Sequence, residues 1–254
     1  MKSILATLQG SDSVLLVKLS PNQDQILFDF KANYPRKAAS LTKTLFALEI
    51  ARRFESGTII NQKVKITSKM LEGYGTDILP DLLQDKGEIE LNILTLVNLM
   101  LKYSCNSSTA ILARKFLPKR SKLQEIAKKE LGLTDIKLVG QKGEIENMFS
   151  LADFFKVAKQ IFNKKTPTYK FIQKSLKESS NKYYLFDQLE TRILGSKTGT
   201  IFENGYYYLG DLGIVEVRGD RYFLGAMIKR KKIQQAVQDI RQIGKELLKL
   251  VQKG

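Results

Sequence analysis

The chain contains no histidine among its 254 residues, and this absence excludes several catalytic designs. A Ser-His-Asp triad, a Cys-His pair and most catalytic zinc sites all require an imidazole ring. An enzyme that attacks its substrate with a nucleophile would here have to use lysine, a carboxylate or tyrosine as its base. The range of possible chemistry is therefore narrow.

Cysteine and long apolar runs are also scarce. The one cysteine, Cys105, excludes disulfides within the chain and any cysteine-rich metal site. No run of 18 apolar residues is present, so we expect nothing to span a bilayer. Residues 1–10 are too short and too soon polar for a signal peptide. We therefore expect either a cytoplasmic protein or one whose targeting segment precedes the residues given.

Acidic residues are few beside the basic ones, because 26 Asp and Glu stand against 42 Lys and Arg, a net charge of +16. Such an excess can attract a polyanion (nucleic acid, anionic lipid or an acidic cell-surface polymer), or it can form a solvated lysine-rich surface. The basic residues are spread along the chain apart from residues 229–232, without a zinc-finger, homeodomain or RNA-recognition signature. We therefore do not expect a nucleic-acid partner.

The pattern of apolar residues predicts strands at both ends of the chain and helices between them. Two strands at 13–19 and 25–30 flank a turn-rich segment, and the glycine-punctuated sequence after residue 183 predicts a hairpin around Gly219. The sequence predicts a short strand at 64–67 and helices at 40–54, 89–102, 107–116, 122–131, 148–162 (with Ser150 as its N-cap) and 233–251.

This order of elements predicts an α/β (α+β) fold of one domain. Both termini form one antiparallel sheet flanked by helices, within a lobe of residues 1–38 and 185–254. Residues 39–184 form an inserted all-helical lobe.

A serine and a lysine three residues apart, Ser40 and Lys43, stand at the start of the first predicted helix. Residues at positions i and i+3 share one helical face, so the two side chains can meet. A lysine held at a buried helix start can lose its proton and activate the serine hydroxyl as a nucleophile. The same spacing also arises by chance in a lysine-rich chain, as at Ser179 and Lys182.

Two further segments bear on this pair. Ser104 and Asn106 lie at a break between two predicted helices, where a hydroxyl and an amide can project into a cleft or can equally be helix caps. The segment Lys197-Thr198-Gly199-Thr200 lies at or beside a strand. There a lysine and hydroxyls can meet a substrate carboxylate, and glycine lets a ligand approach the backbone, although Lys197 can equally be an edge-strand charge.

Ser-x-x-Lys, Ser-x-Asn and Lys-Thr-Gly, in this order, form the motif set of class A β-lactamases and penicillin-binding proteins. The chain resembles that superfamily, most closely the class A β-lactamases, over essentially its whole length, because the gaps between the motifs and the elements around them also fit. Ser179 has no Lys-Thr-Gly at a suitable distance. The resemblance implies a β-lactamase/transpeptidase-like fold and a serine acyl-enzyme hydrolase that needs no metal or cofactor.

The resemblance also implies the catalytic roles. Ser40 attacks the carbonyl of a β-lactam or of a D-alanyl-D-alanine-like peptide, and Lys43 takes or relays its proton. Ser104 passes the proton to the leaving nitrogen, and Lys197 supplies positive potential beside it.

The remaining motif residues are implied to bind the substrate. Asn106 holds the side-chain amide of the substrate, and the hydroxyls of Thr198 and Thr200, on either side of Gly199, bind its carboxylate. The backbone N–H groups of Ser40 and Thr200 form the oxyanion hole.

Two departures from the family pattern bear on these roles. Cys105 takes the position where class A enzymes carry aspartate. Class A enzymes deacylate with a glutamate on a long loop, in a Glu-x-x-Leu-Asn pattern, and residues 140–150 are about ten residues short of that loop. Glu144 or Glu146 could serve as the deacylation base, although their spacing to Asn147 is wrong and both could be surface carboxylates.

Without a base that activates water, acylation can proceed while the acyl-enzyme remains long-lived. The alternatives are then a poor β-lactamase, a D,D-peptidase or transpeptidase-type penicillin-binding protein, or a non-catalytic relative that binds cell wall or a polyanion. We expect a monomer whose small-molecule partner is a β-lactam or a peptidoglycan stem peptide. The resemblance implies a location outside the cytoplasm, in the periplasm or at the cell surface.

Overall fold

The computed structural model describes residues 6–74, 77–84, 86–140, 143–180, 184–187 and 191–253. The strands, in chain order, are β1 (Ser13–Leu19), β2 (Gln25–Phe30), β3 (Arg36–Lys37), β4 (Lys63–Thr67), β5 (Glu88–Asn92), β6 (Lys137–Val139), β7 (Ile145–Phe149), β8 (Arg192–Glu203), β9 (Tyr206–Val217) and β10 (Asp220–Arg230). The α-helices are α1 (Lys43–Glu55), α2 (Ile78–Leu83), α3 (Ile93–Lys102), α4 (Asn106–Lys115), α5 (Arg120–Leu131), α6 (Leu151–Asn163), α7 (Pro167–Lys177) and α8 (Ile233–Lys253). Short 3-10 turns cover Ala39–Thr42, which leads directly into α1, and Ser68–Leu71.

Both ends of the chain build the main sheet. Its five antiparallel strands lie in the order β2-β1-β10-β9-β8, and the amino-terminal hairpin pairs with the last strand of the chain, Ser13 opposite Met227. The turn predicted at Gly219 joins β9 to β10, with Val217 opposite Asp220. The predicted antiparallel sheet formed by both termini and flanked by helices is therefore confirmed.

Both faces of the sheet are buried. Successive side chains of a strand point to opposite faces, so each strand contributes apolar residues to two cores. On β1, Val14 and Leu16 pack in the core that contains Ile240 of α8. Leu15 and Val17 belong to the larger core shared with the inserted helices. The sheet is thus a central layer, and its edge strand β8 contacts the 3-10 turn that precedes α1.

The helix near the first motif, the carboxyl-terminal helix and the cap at Ser150 agree with the sequence. The predicted helix 40–54 is the 3-10 turn followed by α1, and α8 forms the predicted amphipathic carboxyl-terminal helix. Ser150 caps α6, because its Oγ accepts a hydrogen bond of 3.1 Å from the Asp153 N–H. No helix in the described part of the chain is long and apolar enough to cross a membrane.

The helix predicted from Ile89 begins four residues later, and this prediction was wrong at its start. Residues Glu88–Asn92 pair with β4, with Leu91 opposite Val64. Asn92 then caps α3, accepting a hydrogen bond of 2.8 Å from the Thr95 N–H. An N-cap residue has extended backbone geometry, so the strand can run directly into the helix.

The inserted segment also contains strands and two helices, α2 and α7, that the sequence analysis did not anticipate. β3, β6 and β7 form a small sheet, so that Met148 and Phe149 pair with β3 and do not begin the following helix. α7 fills a segment for which no element was predicted. The insertion is therefore mainly helical, and its strands belong to two small sheets, one of which also includes β3.

Candidate active site

The first motif lies where the 3-10 turn enters α1. Ser40 is half-buried on the turn, and Lys43 is the first residue of the α-helix. Leu45 and Leu48 are fully buried, so α1 runs through the interior and carries its polar amino-terminal end to the cleft. Ala39, next to the serine, has a left-handed φ of 45°, a strained conformation for a residue with a Cβ.

Lys43 is buried and has only uncharged hydrogen-bond partners. Its Nζ donates to Asn106 Oδ1 at 2.8 Å, to Ser104 Oγ at 3.1 Å and to the Ser104 carbonyl. Burial lowers the pKa of Lys43 to about 8, against smaller opposing effects of Cys105 and Asp77. Lys43 is therefore a lysine whose neutral form is accessible near neutral pH.

The second motif forms a tight turn between α3 and α4. Ser104 has a left-handed φ of 58°, which directs its carbonyl and hydroxyl towards Lys43. The helix cap is Cys105, whose Sγ accepts from the Ser108 N–H at 3.4 Å, so neither Ser104 nor Asn106 caps α4. Cys105 thus fills a structural role at the position where class A enzymes carry aspartate.

A carboxylate from another element supports this turn. Asp77, at the start of α2, accepts hydrogen bonds from the N–H and the hydroxyl of Ser107 at 2.7 and 3.0 Å. Because both donors lie in the first turn of α4, the negative charge also faces the positive end of that helix.

The third motif lies on the edge strand β8 and alternates between the two sides of the sheet. Lys197 is fully buried; its Nζ donates to Ser104 Oγ at 3.1 Å and to the Thr198 carbonyl at 2.9 Å. Burial and the charge of Lys43 together lower the pKa of Lys197 to about 7, against a smaller opposing effect of Asp211. Lys197 is thus a structural neighbour of the first two motifs and not an edge-strand charge in solvent.

Gly199 lets β8 approach the nucleophile. A Cβ built on Gly199 would lie 2.8 Å from the Ala38 carbonyl and 3.0 Å from the backbone nitrogens of Ser40 and Leu41. These neighbours are backbone atoms that cannot move aside. Glycine is therefore required here by close approach, and it brings Thr200 beside Ser40.

The three motifs meet at one atom. Lys43 Nζ and Lys197 Nζ each donate to Ser104 Oγ at 3.1 Å. A hydroxyl oxygen has two lone pairs and one proton, so Ser104 can accept from both lysines and still donate into the cleft. This arrangement can relay a proton between an amine and a group bound in the cleft.

Two cavities open on either side of Ser40. The first, of about 320 Å³, is lined by Ser40, Ser104, Asn106, Tyr184, Thr198, Gly199 and Thr200. The second, of about 350 Å³, shares Ser40, Asn106 and Thr200 with the first and extends along α1 to Phe46 and Arg120. The structure therefore brings every predicted catalytic and substrate-binding residue to one continuous cleft, except that Lys197 lies behind its wall.

The two candidate deacylation glutamates lie away from Ser40. Glu144 is exposed, and its carboxylate and that of Glu146 are directed over the backbone of Gly140. Among the described residues, neither glutamate lines either cavity, whereas Asn147 does. The structure thus separates them from the three motifs.

Several residues at the site carried no signal in the sequence. Tyr184, Tyr74, Arg120 and Phe46 line the cleft from four separate elements or loops, without any shared spacing. Asp211 is fully buried opposite Thr198; its Oδ2 accepts from the Leu185 N–H at 2.9 Å, and burial raises its pKa well above the usual value. Within the described ranges no group of three or more His, Cys, Asp or Glu residues could hold a metal ion.

The fold and these three motifs are those of a serine hydrolase whose chain has no histidine and whose cleft has two buried lysines beside Ser104. The model of the β-lactamase enzyme family matches residues 1–251. The chain therefore belongs to the β-lactamase enzyme family, serine hydrolases of β-lactam amide bonds.

Solved structures share this fold at low sequence identity. A class A β-lactamase from Bacteroides cellulosilyticus is 17% identical, with a TM-score of 0.84 over 100% of this chain and 97% of that one. A β-lactamase from Chitinophaga pinensis is 18% identical, with a TM-score of 0.83 over 97% and 96%. PBP-A is 19% identical, with a TM-score of 0.79 over 99% and 94%. No curated protein has a significantly similar sequence.

Proposed function

We propose that the chain opens β-lactams and cleaves the D-alanyl-D-alanine ends of peptidoglycan stem peptides through an acyl-enzyme on Ser40 that hydrolyses slowly. The observation that carries this proposal is the hydrogen-bonded line from Lys43 through Ser104 to Lys197 beside the serine. The slow second step is supported by the lining of the cleft, which contains no Asp or Glu among the described residues.

Acylation needs a base for the Ser40 hydroxyl and an acid for the leaving nitrogen. Neutral Lys43 accepts the Ser40 proton as Oγ bonds to the carbonyl carbon; with a pKa of about 8, roughly a tenth of the molecules hold this neutral form one pH unit lower. As the carbon–nitrogen bond breaks, Ser104 gives its proton to the nitrogen and receives one from the lysine ammonium. The hydrogen bond between Lys43 and Ser104, along which the lysine returns its proton, is already formed.

The substrate is held by groups on both sides of Ser40. The backbone N–H groups of Ser40 and Thr200 stabilise the oxyanion, and one such donor is typically worth about 3 kcal/mol of barrier. The hydroxyls of Thr198 and Thr200, with the charge of Lys197 behind them, bind the substrate carboxylate. Asn106 binds the side-chain amide of the acyl group.

Deacylation needs a base that activates water, and no carboxylate lines the described cleft for this role. Lys43 is neutral again after the proton relay of acylation, but its Nζ is held by Asn106 and Ser104. We therefore expect the ester to persist. A variant of PBP-A, 20% identical with a TM-score of 0.77 over 99% of this chain and 95% of that one, was solved as its acyl-enzyme complex with penicillin-G. We expect the wild-type chain to accumulate the corresponding species.

The proposal extends to partners and location. Stem peptides are exposed outside the cytoplasm, so we place the protein in the periplasm or at the cell surface. We also propose that it acts as a monomer. The substrate would bind between a sheet lobe (residues 1–38 and 185–254) and a helical lobe (39–184) of one domain.

The test is intact-protein mass after mixing with benzylpenicillin, alongside turnover of a chromogenic cephalosporin. We expect a lasting adduct on the wild type, turnover far slower than acylation, and no adduct on Ser40→Ala. Ser179→Ala is the matched control: it removes the other serine of a Ser-x-x-Lys pattern, whose buried Oγ has no hydrogen-bond partner in the described structure. An adduct on Ser40→Ala would remove Ser40 from the mechanism, and rapid turnover would refute slow deacylation.

A further inference from the structure

The second cavity contains a cation that the proposed mechanism does not use. Arg120 is the half-buried first residue of α5, and it lines the cavity of about 350 Å³ that opens onto Ser40. Its Nη1 donates to Asn147 Oδ1 at 2.7 Å, and its guanidinium carbon lies 5.5 Å from the centre of the Phe46 ring. An amide and an aromatic face therefore hold the guanidinium in place.

No carboxylate compensates this charge within the described residues. Burial lowers the pKa of Arg120, and no acidic neighbour opposes that effect. Arginine nevertheless stays protonated, with five N–H donors in a planar fork, and in the described structure Asn147 takes one of them. The other donors are available to a planar anion, which a carboxylate matches in geometry.

The position of the cavity identifies the part of the substrate that enters it. The proposed anchors for the substrate carboxylate, Thr198 and Lys197, belong to the first cavity and its wall. Asn106, the proposed anchor for the side-chain amide, lines both cavities. The acyl side chain beyond that amide is therefore directed into the second cavity, away from the leaving group.

The second cavity has an apolar middle and a cationic end. Phe46, Ala110 and Ala113 supply apolar walls between Ser40 and Arg120. Phe46 follows Ser40 by six residues, which is about 10 Å along the axis of the 3-10 turn and α1. An acyl chain must therefore be several carbons long before its end meets the guanidinium.

We infer that Arg120 makes the second cavity a subsite for acyl side chains that end in a carboxylate after an apolar stretch of several carbons. This inference rests on the proposed function, because the occupant is the acyl donor of the Ser40 reaction. Lys43, on the wall of the same cavity, adds to the positive potential there.

The test uses two penicillins that differ by one charge. One carries an adipoyl group on its side-chain amide and ends in a free carboxylate; the other has that carboxylate as the primary amide. Second-order acylation rates of both compounds are measured by quenched-flow mass spectrometry on the wild type, Arg120→Gln, Arg120→Lys and Lys128→Gln. Lys128→Gln is the control, since it removes the same charge from the exposed last turn of α5.

We expect wild type and Lys128→Gln to prefer the carboxylate compound by about ten- to a hundredfold, the range of a charge-assisted hydrogen bond. The preference should fall to near one in Arg120→Gln and be partly retained in Arg120→Lys. Equal wild-type rates for both compounds, or an undiminished preference in Arg120→Gln, would overturn the inference while leaving acylation of Ser40 intact. If neither compound labels the wild type, the proposed function itself fails, and this inference fails with it.

Discussion

Two regions of the molecule bury cations, and only one of them pairs the buried charge with carboxylates. At the end of β10, Arg230 is 2% exposed and binds Asp12 through two hydrogen bonds, of 2.8 and 2.9 Å, and Asp239 through a third. Burial alone would lower the pKa of Arg230, but the hydrogen bonds of the two carboxylates overcome this effect and raise it. The charge is thus fully compensated, and it connects the start of the chain to β10 and α8.

Beside Ser40, the two lysines Lys43 and Lys197 are buried with no carboxylate among their described hydrogen-bond partners. Their partners are the Ser104 hydroxyl, an amide oxygen and backbone carbonyls, and burial lowers the pKa of both amines. A carboxylate beside either lysine would stabilise the fold and would hold the amine protonated. Burying a lysine without a carboxylate partner therefore costs stability, and it makes the neutral amine accessible as a base.

The largest expected effect comes from a change that keeps the charge of Lys43 but prevents its deprotonation. Lys43→Arg should slow acylation by benzylpenicillin by about a thousandfold, the typical contribution of a general base. The wild-type rate should rise with pH through an apparent pKa near 8, since the pKa of Lys43 is lowered to about 8, and the variant should lose that rise. Quenched-flow mass spectrometry from acidic to alkaline pH measures both.

Lys129→Arg provides the matched control, because this exposed lysine on α5 pairs with Glu125 far from the cleft. An unchanged rate and pH profile in Lys43→Arg would show that another group takes the Ser40 proton.

A second, smaller effect should follow when the buried Arg230 loses the charge of one carboxylate partner. Asp12→Asn removes one charge from a pair whose side chains are 0% and 1% exposed, so we expect the free energy of unfolding to fall by about 3 kcal/mol. Urea unfolding measures this loss, and acylation of the folded protein should not change. Asp220→Asn breaks an exposed pair with Lys18 and should have little effect. Equal effects of the two variants would contradict the comparison.

The smallest effect is a gain of stability on removing an uncompensated cation. The pKa of Lys197 is lowered to about 7 in the folded state, so between pH 7 and the ordinary lysine value the unfolded state binds more protons. Wild-type stability should therefore rise with pH in that window. Lys197→Met should be more stable at neutral pH, and its advantage should shrink by about 2 kcal/mol between pH 7 and pH 9.

Urea unfolding of both proteins at the two pH values provides the measurement, with Lys165→Met on the exposed surface as control. If Lys197→Met is more stable than wild type by the same amount at both pH values, Lys197 is protonated throughout that range. The variant should also acylate more slowly, since it loses a hydrogen bond to Ser104.

Much of the fold follows from local sequence. Alternation along β1, the turn residues around Gly219 and the cap at Ser150 are local signals, and each corresponds to the observed element. α7 also carried such a signal, with Pro167 at its first position and buried Tyr169 and Ile172 three residues apart, although no helix was predicted there. Residues 89–92 differ, because their apolar pattern fits strand or helix, and only pairing with β4 selects the strand.

By itself the sequence predicted the reactive groups of this protein, a nucleophilic serine with lysines as the available bases, and it contained three motifs in a family order. Tertiary structure alone decided that Lys43 and Lys197 meet at Ser104 Oγ, because the three residues lie on elements that are far apart in the chain. It set the lowered pKa values of the two lysines as well, since these depend on burial and on neighbours from distant elements. It also decided that Arg120 faces the cleft and that the carboxylates of Glu144 and Glu146 do not. Those positions result from the packing of α5 and of the β6–β7 hairpin, which no local spacing encodes.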